Sequence, residues 1–99
     1  AIILPISEKY HNYAKKVSQV LENSEIRTLI DERAEKIGRK IRDAEVSKIP
    51  FMLIVGENEE KEMTLSVRKH GQGDLGSFKV EDFVNLVNEE VDKTLAQFK

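Results

Sequence analysis

The stretch Phe51-Met52-Leu53-Ile54-Val55 decides the fold class, because five consecutive apolar residues lie between Pro50 and Gly56. An unbroken apolar run of this length predicts a strand that is covered on both faces. Pro50 disfavours helical geometry at Ile49, so the preceding helix should end before that residue. The glycine ends the strand, and helices are therefore expected on both sides of a sheet.

The segment before this strand predicts a strand, a helix and a second strand. Residues Ile2 to Ile6 indicate a short buried strand, and Ser7 can cap the helix that follows. That helix should run from about residue 8 to residue 23, because apolar side chains recur there at helical spacing. Its stripe consists of Tyr10, Tyr13, Ala14, Val17, Val20 and Leu21. Partial alternation over Ile26 to Ile30 indicates the second strand.

A second helix is predicted from about Glu35 to the residues before Pro50. Its apolar stripe consists of Ile37, Ile41 and Ala44. Because successive residues turn by about 100° around a helix axis, three cations of this segment are expected to point away from the stripe. These cations are Lys36, Arg39 and Lys40.

The C-terminal half predicts a strand over Met63 to Arg68, where apolar and polar residues alternate. The acidic residues 57–62 are expected to form a short, hairpin-like connection to it. Residues 69–77 are rich in turn formers, with three glycines, and the last helix should begin at about Val80. Its core positions are Phe83, Leu86, Val87, Val91 and Leu95.

The resulting order, βαβαββα, predicts an α/β fold. We expect a three-layer sandwich in which a mixed sheet of the five-stranded type is flanked by three helices. The early strands need helical crossovers, whereas the two late strands can be antiparallel. Residues 1–99 contain no internal repeat or linker and are expected to form a single domain.

The composition is that of a folded domain, with 39% hydrophobic and 34% charged residues. The longest apolar run is far short of the ~20 residues of a membrane helix. The absence of cysteine excludes disulfides and thiolate zinc sites. The net charge is only −2, but the charges are sorted: residues 33–42 hold five cations and one anion, and residues 57–62 hold four anions and one cation.

Catalytic motifs are not evident in this sequence. It contains no G-x-S-x-G, and His11 and His70 lie in different predicted elements. Gly71, Gly73 and Gly76 follow a strand, but their spacing departs from G-x-G-x-x-G, and a plain turn between strand and helix explains them better than a phosphate loop does.

The basic segment 33–42 has two interpretations. Most charge runs are solvated helix faces. The alternative is RNA or phosphate binding, because the cations begin where a strand leads into a helix N-terminus. Arg68 and Glu59 also have two interpretations. An arginine can contact guanine through two hydrogen bonds, but from the residues alone a surface ion pair between the two is favoured.

Three segments resemble the C-terminal anticodon-binding domain of threonyl-tRNA synthetases. Residues 31–42, Asp-Glu-Arg-Ala-Glu-Lys-Ile-Gly-Arg-Lys-Ile-Arg, resemble the family's D-x-R-x-E-K-I-G-x-K-I-R segment. Residues 49–56 resemble its V-P-Y-M-L-V-x-G strand. Residues 66–68 and 73–77 resemble its V-R…G-x-D-L-G-S signature, although Gly73 and Asp74 are adjacent here. Prolyl, glycyl and histidyl enzymes share the fold but usually lack the combination of the last two segments.

The resemblance implies that the chain binds the anticodon loop of threonine tRNA, whose anticodons share G and U at the second and third positions. Arg68 matches an arginine that contacts an anticodon base, Glu59 matches a nearby glutamate, and Lys36 faces the loop. Ala34 stands where bacterial members usually have a base-contacting asparagine, and Arg33 is a candidate to replace it. The full set of candidate RNA-binding residues is Arg33, Lys36, Arg39, Lys40, Glu59 and Arg68.

The resemblance also implies a role within a larger enzyme, a cytoplasmic homodimer that ligates threonine to its tRNA. The catalytic and editing domains, with the sites for ATP, magnesium and zinc, are expected outside this segment, which would have no catalytic residues of its own. The alternatives are the anticodon domain of another class II synthetase and an accessory or regulatory paralogue that is not a synthetase.

Overall fold

The computed structural model describes the backbone of residues 1–97 and the side chains of residues 1–89. Five strands and four α-helices form in this part of the chain, together with one 3-10 turn at Glu8–Tyr10. The strands are β1 (Ile2–Pro5), β2 (Leu29–Ile30), β3 (Phe51–Val55), β4 (Thr64–Lys69) and β5 (Gly73–Lys79). The helices are α1 (His11–Asn23), α2 (Ile37–Val46), α3 (Glu57–Glu62) and α4 (Val80–Gln97).

The sheet is mixed, in the order β2-β1-β3-β4-β5. β1 pairs in parallel with β2 and with β3, where Ile3 lies opposite Leu53. β4 is antiparallel to both β3 and β5. The predicted α/β class and mixed sheet are thus confirmed, and β3 lies at the centre as its unbroken apolar run indicated.

Two cores lie on opposite faces of this sheet. The larger core contains Ile3, Leu53 and Val67 of the strands with the buried side of α1 and with Phe83 of α4. Phe83 meets Phe51 edge to face, with ring centroids 5.4 Å apart and planes at 85°, a favoured aromatic arrangement. The smaller core places Leu4 of β1, Met52 of β3 and Ala44 of α2 together. The helices and the sheet therefore form three layers.

The acidic segment differs from its prediction, because residues 57–62 form the helix α3 instead of a hairpin-like connection. Three glutamates in the first turn interact favourably with the positive end of the helix dipole. Gly56 precedes the helix, and a Cβ at this glycine would lie 2.6 Å from the Ile6 side chain. The helix ends at Glu62, and the next residue, Met63, has a left-handed φ of 56°. The number of flanking helices is therefore four in the described chain, and not three.

Other element boundaries also shift. The helix predicted from residue 8 begins with the 3-10 turn, where the Ser7 hydroxyl accepts from the Lys9 amide at 3.3 Å. The second strand is shorter than predicted, at two residues. β5 occupies much of the predicted turn region, and a bulge leaves Leu75 without a partner between Gly76 and Asp74. A φ of +97° at Gly76 accompanies this bulge and suits glycine.

No helix of the described residues has both the length and the apolar character needed to cross a membrane.

Candidate nucleic-acid interface

The half of the sheet formed by β4 and β5 is open on the face that carries α2. Leu65 and Val67 of β4 point into the larger core, so the alternate side chains of β4 point to the opposite face. Among the described residues, the smaller core joins α2 to β1 and β3 only. We call the uncovered side chains the polar strip, which consists of Thr64, Ser66 and Arg68 with their partners Lys79, Ser77 and Asp74.

Arg68 is the largest cation of the polar strip. Its Nη2 lies 3.9 Å from Oε1 of Glu45 in α2, and the two side chains are 30% and 41% exposed. Its Nε is buried and has no hydrogen-bond partner among the described residues. Among the described residues, Nη2 makes only this long ion-pair contact, so the terminal edge of the guanidinium keeps donors that a ligand can use.

The N-terminal part of α2 presents exposed cations. Lys36 occupies the N-cap position and makes no capping bond with its side chain. Arg39 is 67% exposed, and its Nε lies 4.0 Å from Asp43. Together with the exposed Arg42, it lines a shallow depression beside Gly38. Glu45 lies nine positions after Lys36, so the basic end and the Arg68 contact lie about 14 Å apart along the helix.

Arg33 is held by two carboxylates and forms, with them, what we call the carboxylate clip. Its Nε and Nη2 donate to Asp31 at 2.9 and 2.8 Å, and its Nη1 donates to Asp43 at 3.0 Å. These hydrogen bonds lower the pKa of Asp31 below its usual value and raise that of Arg33. Three of its five N–H donors are thus in use, and Arg33 fixes the loop before α2. Its side chain is still 50% exposed, and its replacement of an asparagine at position 34 stays a prediction.

Lys40 is buried, and the prediction that it points away from the apolar stripe was wrong. The side chain is only 2% exposed, and Nζ donates to the carbonyl oxygens of Pro5 and Asp31, both at 3.1 Å. Lys40 lies three residues after Ile37 and four before Ala44, a spacing that places it on the same face of the helix. The two carbonyls compensate for the burial of its ammonium. Lys40 is therefore inaccessible to RNA.

Glu59 lies in α3, at the other end of the β3–β4 pair from Arg68. Its carboxylate lies beside Gly56. The pKa of Tyr13 is raised mainly by burial of the hydroxyl, and next by the negative charge of Glu59. Thr64, which follows α3, and Arg68 are four strand residues apart, or about 13 Å. The two site candidates therefore do not form an ion pair with each other, and they can only contact different parts of a ligand.

Several residues of this surface were missed by the sequence reasoning. The alternation of Met63 to Arg68 could have placed Ser66 on the same face as Arg68, because strand side chains alternate. Ser77 follows from the strand pairing, which requires β5 to be recognised first. No sequence signal placed Glu45 against Arg68.

Among the described residues, no group of three or more histidine, aspartate or glutamate side chains is arranged to hold a metal ion.

The fold is that of the anticodon-binding domains of tRNA synthetases. Residues 1–90 match the family model described as "Anticodon binding domain", and the chain belongs to that family. Relatives that carry the name threonine–tRNA ligase match nearly the whole chain. The Flavobacterium johnsoniae protein is 63% identical over 100 residues, with 99% of this chain and 15% of the relative covered. The Porphyromonas gingivalis protein is 47% identical over 98 residues, with 99% and 15% covered.

Solved structures agree with this placement. The RNA-binding domain of threonyl-tRNA synthetase from Cryptosporidium parvum superposes with a TM-score of 0.83 at 27% identity, covering 89% of this chain and 22% of that chain. Prolyl-tRNA synthetase from the same organism has a TM-score of 0.79 at 18% identity, covering 93% and 20%, which is a likeness of fold alone. The present chain spans about 15% of the length of the curated relatives.

Proposed function

We propose that this chain is the anticodon-binding domain of a threonyl-tRNA synthetase and reads the anticodon loop of threonine tRNA. The observation that carries the proposal is the placement of Arg68 on the open polar strip, beside the helix whose other end presents exposed cations. A surface with one half-exposed arginine and a separate group of exposed cations suits a single-stranded loop, because unstacked bases and phosphates can be contacted at different points.

Phosphate contacts are assigned to the basic end of α2. Lys36 and Arg39 are exposed there, and Arg42 borders the same depression. Such contacts position the loop without reading its sequence. The carboxylate clip and the buried Lys40 are assigned a supporting role, since they fix the backbone from which these cations project.

Base contacts are assigned to Arg68 and Glu59. Arg68 is suited to the two acceptors of a guanine edge, and Glu59 accepts from an amine or imino group of a second base. Arg68 lies about 13 Å along β4 from Thr64, at the end where α3 carries Glu59, so we assign the two side chains to different nucleotides. Ser66 and Ser77 of the polar strip supply small hydroxyl groups between these two positions.

The activity of the longer protein is part of the same proposal. That enzyme would join threonine to its tRNA with ATP, and it would act in the cytoplasm as a homodimer. The sites for ATP, magnesium and zinc are assigned to domains outside this chain, whose own residues bind and orient the anticodon loop.

The proposal is tested by an NMR titration of this chain with two short RNA hairpins at moderate salt. One hairpin carries the threonine anticodon loop, and the other has its G and U changed. We expect the first hairpin alone to shift the signals of Arg68 and Glu59, while both hairpins shift those around Lys36.

Equal shifts at Arg68 with both hairpins would reduce the surface to a general RNA-binding patch. The absence of binding to either hairpin would refute the proposed function. A third hairpin with the anticodon loop of proline tRNA tests the fold-level alternative, since tighter binding to it would reassign the domain.

A further inference from the structure

Glu45 is the carboxylate that faces the proposed base-reading arginine. Its Oε1 lies 3.9 Å from Nη2 of Arg68, a single contact at the long end of the ion-pair range. Both side chains are partly exposed, so the attraction is weakened by solvent. A bound ligand can therefore displace Glu45 from Arg68.

The burial of Nε decides which edge of Arg68 a ligand can use. Nε is enclosed by protein and has no hydrogen-bond partner among the described residues, so RNA cannot approach it. Only the terminal edge, formed by Nη1 and Nη2, remains for two parallel hydrogen bonds. Glu45 faces Nη2, and a ligand that uses this edge must therefore compete with the Glu45 carboxylate.

The position of Glu45 is unfavourable for the helix that carries it. Glu45 lies in the last turn of α2, which contains no basic residue. The carbonyl ends of a helix carry partial negative charge, and a carboxylate there is repelled. Helix stability thus gives no reason for a glutamate at this position.

We propose that Glu45 is a specificity-determining residue for RNA recognition by Arg68, an inference that rests on the proposed function. Its negative charge repels phosphate, and its carboxylate faces Nη2 at 3.9 Å in the free protein. A phosphate that approaches Arg68 meets this repulsion, whereas the neutral edge of a base with two acceptors replaces the carboxylate with two hydrogen bonds. Glu45 therefore disfavours the wrong ligand more than the right one, a common route to specificity.

The test compares the wild type with Glu45→Gln, which keeps the shape of the side chain and removes its charge. The matched control is Glu35→Gln, which removes the same charge from the exposed residue next to Lys36. Dissociation constants for the cognate and the altered hairpin are measured by fluorescence anisotropy at two salt concentrations. The same measurements in an Arg68→Ala background show whether the effect passes through Arg68.

We expect Glu45→Gln to tighten binding of the altered hairpin by about tenfold and of the cognate hairpin by about threefold, a coupling within the range found for residues in contact. The selectivity then falls by about threefold, and this fall disappears in the Arg68→Ala background. Glu35→Gln should tighten binding of both hairpins by the same factor. Thermal melts check that each variant is folded, and Arg68→Lys replaces Arg68→Ala if the alanine variant melts early.

Equal tightening of both hairpins by Glu45→Gln would show that Glu45 acts only as a nearby charge and would overturn the inference. Weaker cognate binding would also overturn it, because Glu45 would then orient Arg68 for its ligand. Neither result affects the proposed function, which fails instead if the wild type binds neither hairpin; the inference then falls with it.

Discussion

Replacement of Lys40 by methionine tests the role that the structure gives to the buried ammonium. Methionine has a similar length and fills a similar volume, but it cannot donate to the carbonyl oxygens of Pro5 and Asp31, both 3.1 Å from Nζ. Each hydrogen bond from a charged group contributes roughly 1.5–3 kcal/mol. Part of this lost free energy is offset in the variant, because the buried methionine side chain carries no charge that must be desolvated on folding.

The expected net loss is ~2–4 kcal/mol in the free energy of unfolding, from two unmet carbonyls of ~1–3 kcal/mol each, less the recovered desolvation. For a domain of this size, such a loss lowers the melting temperature by roughly 10–20 °C. Urea denaturation followed by circular dichroism measures the free energy, and a thermal melt measures the temperature.

Lys36→Met is the matched control, because it makes the same replacement at an exposed position beside the same helix. We expect it to change the free energy of unfolding by less than ~0.5 kcal/mol, as exposed substitutions usually do. The effects on hairpin affinity should be the opposite. Lys36→Met should bind the hairpin more weakly, whereas Lys40→Met should bind it as the wild type does under conditions where the variant is folded. A loss of stability below ~1 kcal/mol for Lys40→Met would refute the reasoning, since the two hydrogen bonds would then contribute little beyond desolvation.

Three further predictions concern the site and its support. Arg68→Ala should weaken cognate hairpin binding by ~1–3 kcal/mol, the contribution of a two-point base contact; an unchanged dissociation constant contradicts the base-reading role. Lys36→Ala should weaken the binding of cognate and altered hairpins equally and flatten the salt dependence, so an effect confined to the cognate hairpin assigns it to base reading instead. The carboxylate clip predicts that stability depends on pH, because the pKa of Asp31 is lower in the folded state than in the unfolded state. The contribution of Asp31 to stability is present above its unfolded pKa of about 4, and it is lost as the pH falls through the folded pKa. Unfolding free energies across this range should fall less steeply for Asp31→Asn than for the wild type, and parallel curves would show that the clip does not contribute.

The central strand of the fold and the helices that cover it could be predicted from the sequence, because the apolar residues that form them are stable in one kind of environment. The apolar run of β3 can be buried only in a sheet that is covered on both faces, and the structure places helices there. The stripe of α2 was identified for the same reason. The strand β5 and the helix α3 were missed, and β2 was predicted too long, because these elements depend on tertiary pairing and on the ends of neighbouring strands instead of on local periodicity.

The candidate site could be predicted from the sequence only in part. Lys36 and Arg39 are exposed as the helical pattern predicted. Lys40 was assigned to the surface from its charge, although its spacing from Ile37 and Ala44 placed it on the buried side. Glu45 meets Arg68 across 23 positions of sequence, and only the packing of α2 against the sheet brings them together.

The bulge in β5 has a consequence for how copies of this chain meet. β2 and β5 are the outer strands of the sheet within the described residues, and outer strands can template pairing with another molecule. β2 offers only two residues, and β5 is distorted at Leu75 and carries Asp74 and Lys79 at exposed positions. Both outer strands therefore resist edge-to-edge pairing with another copy. The polar strip on β4 and β5 can thus stay open without promoting aggregation.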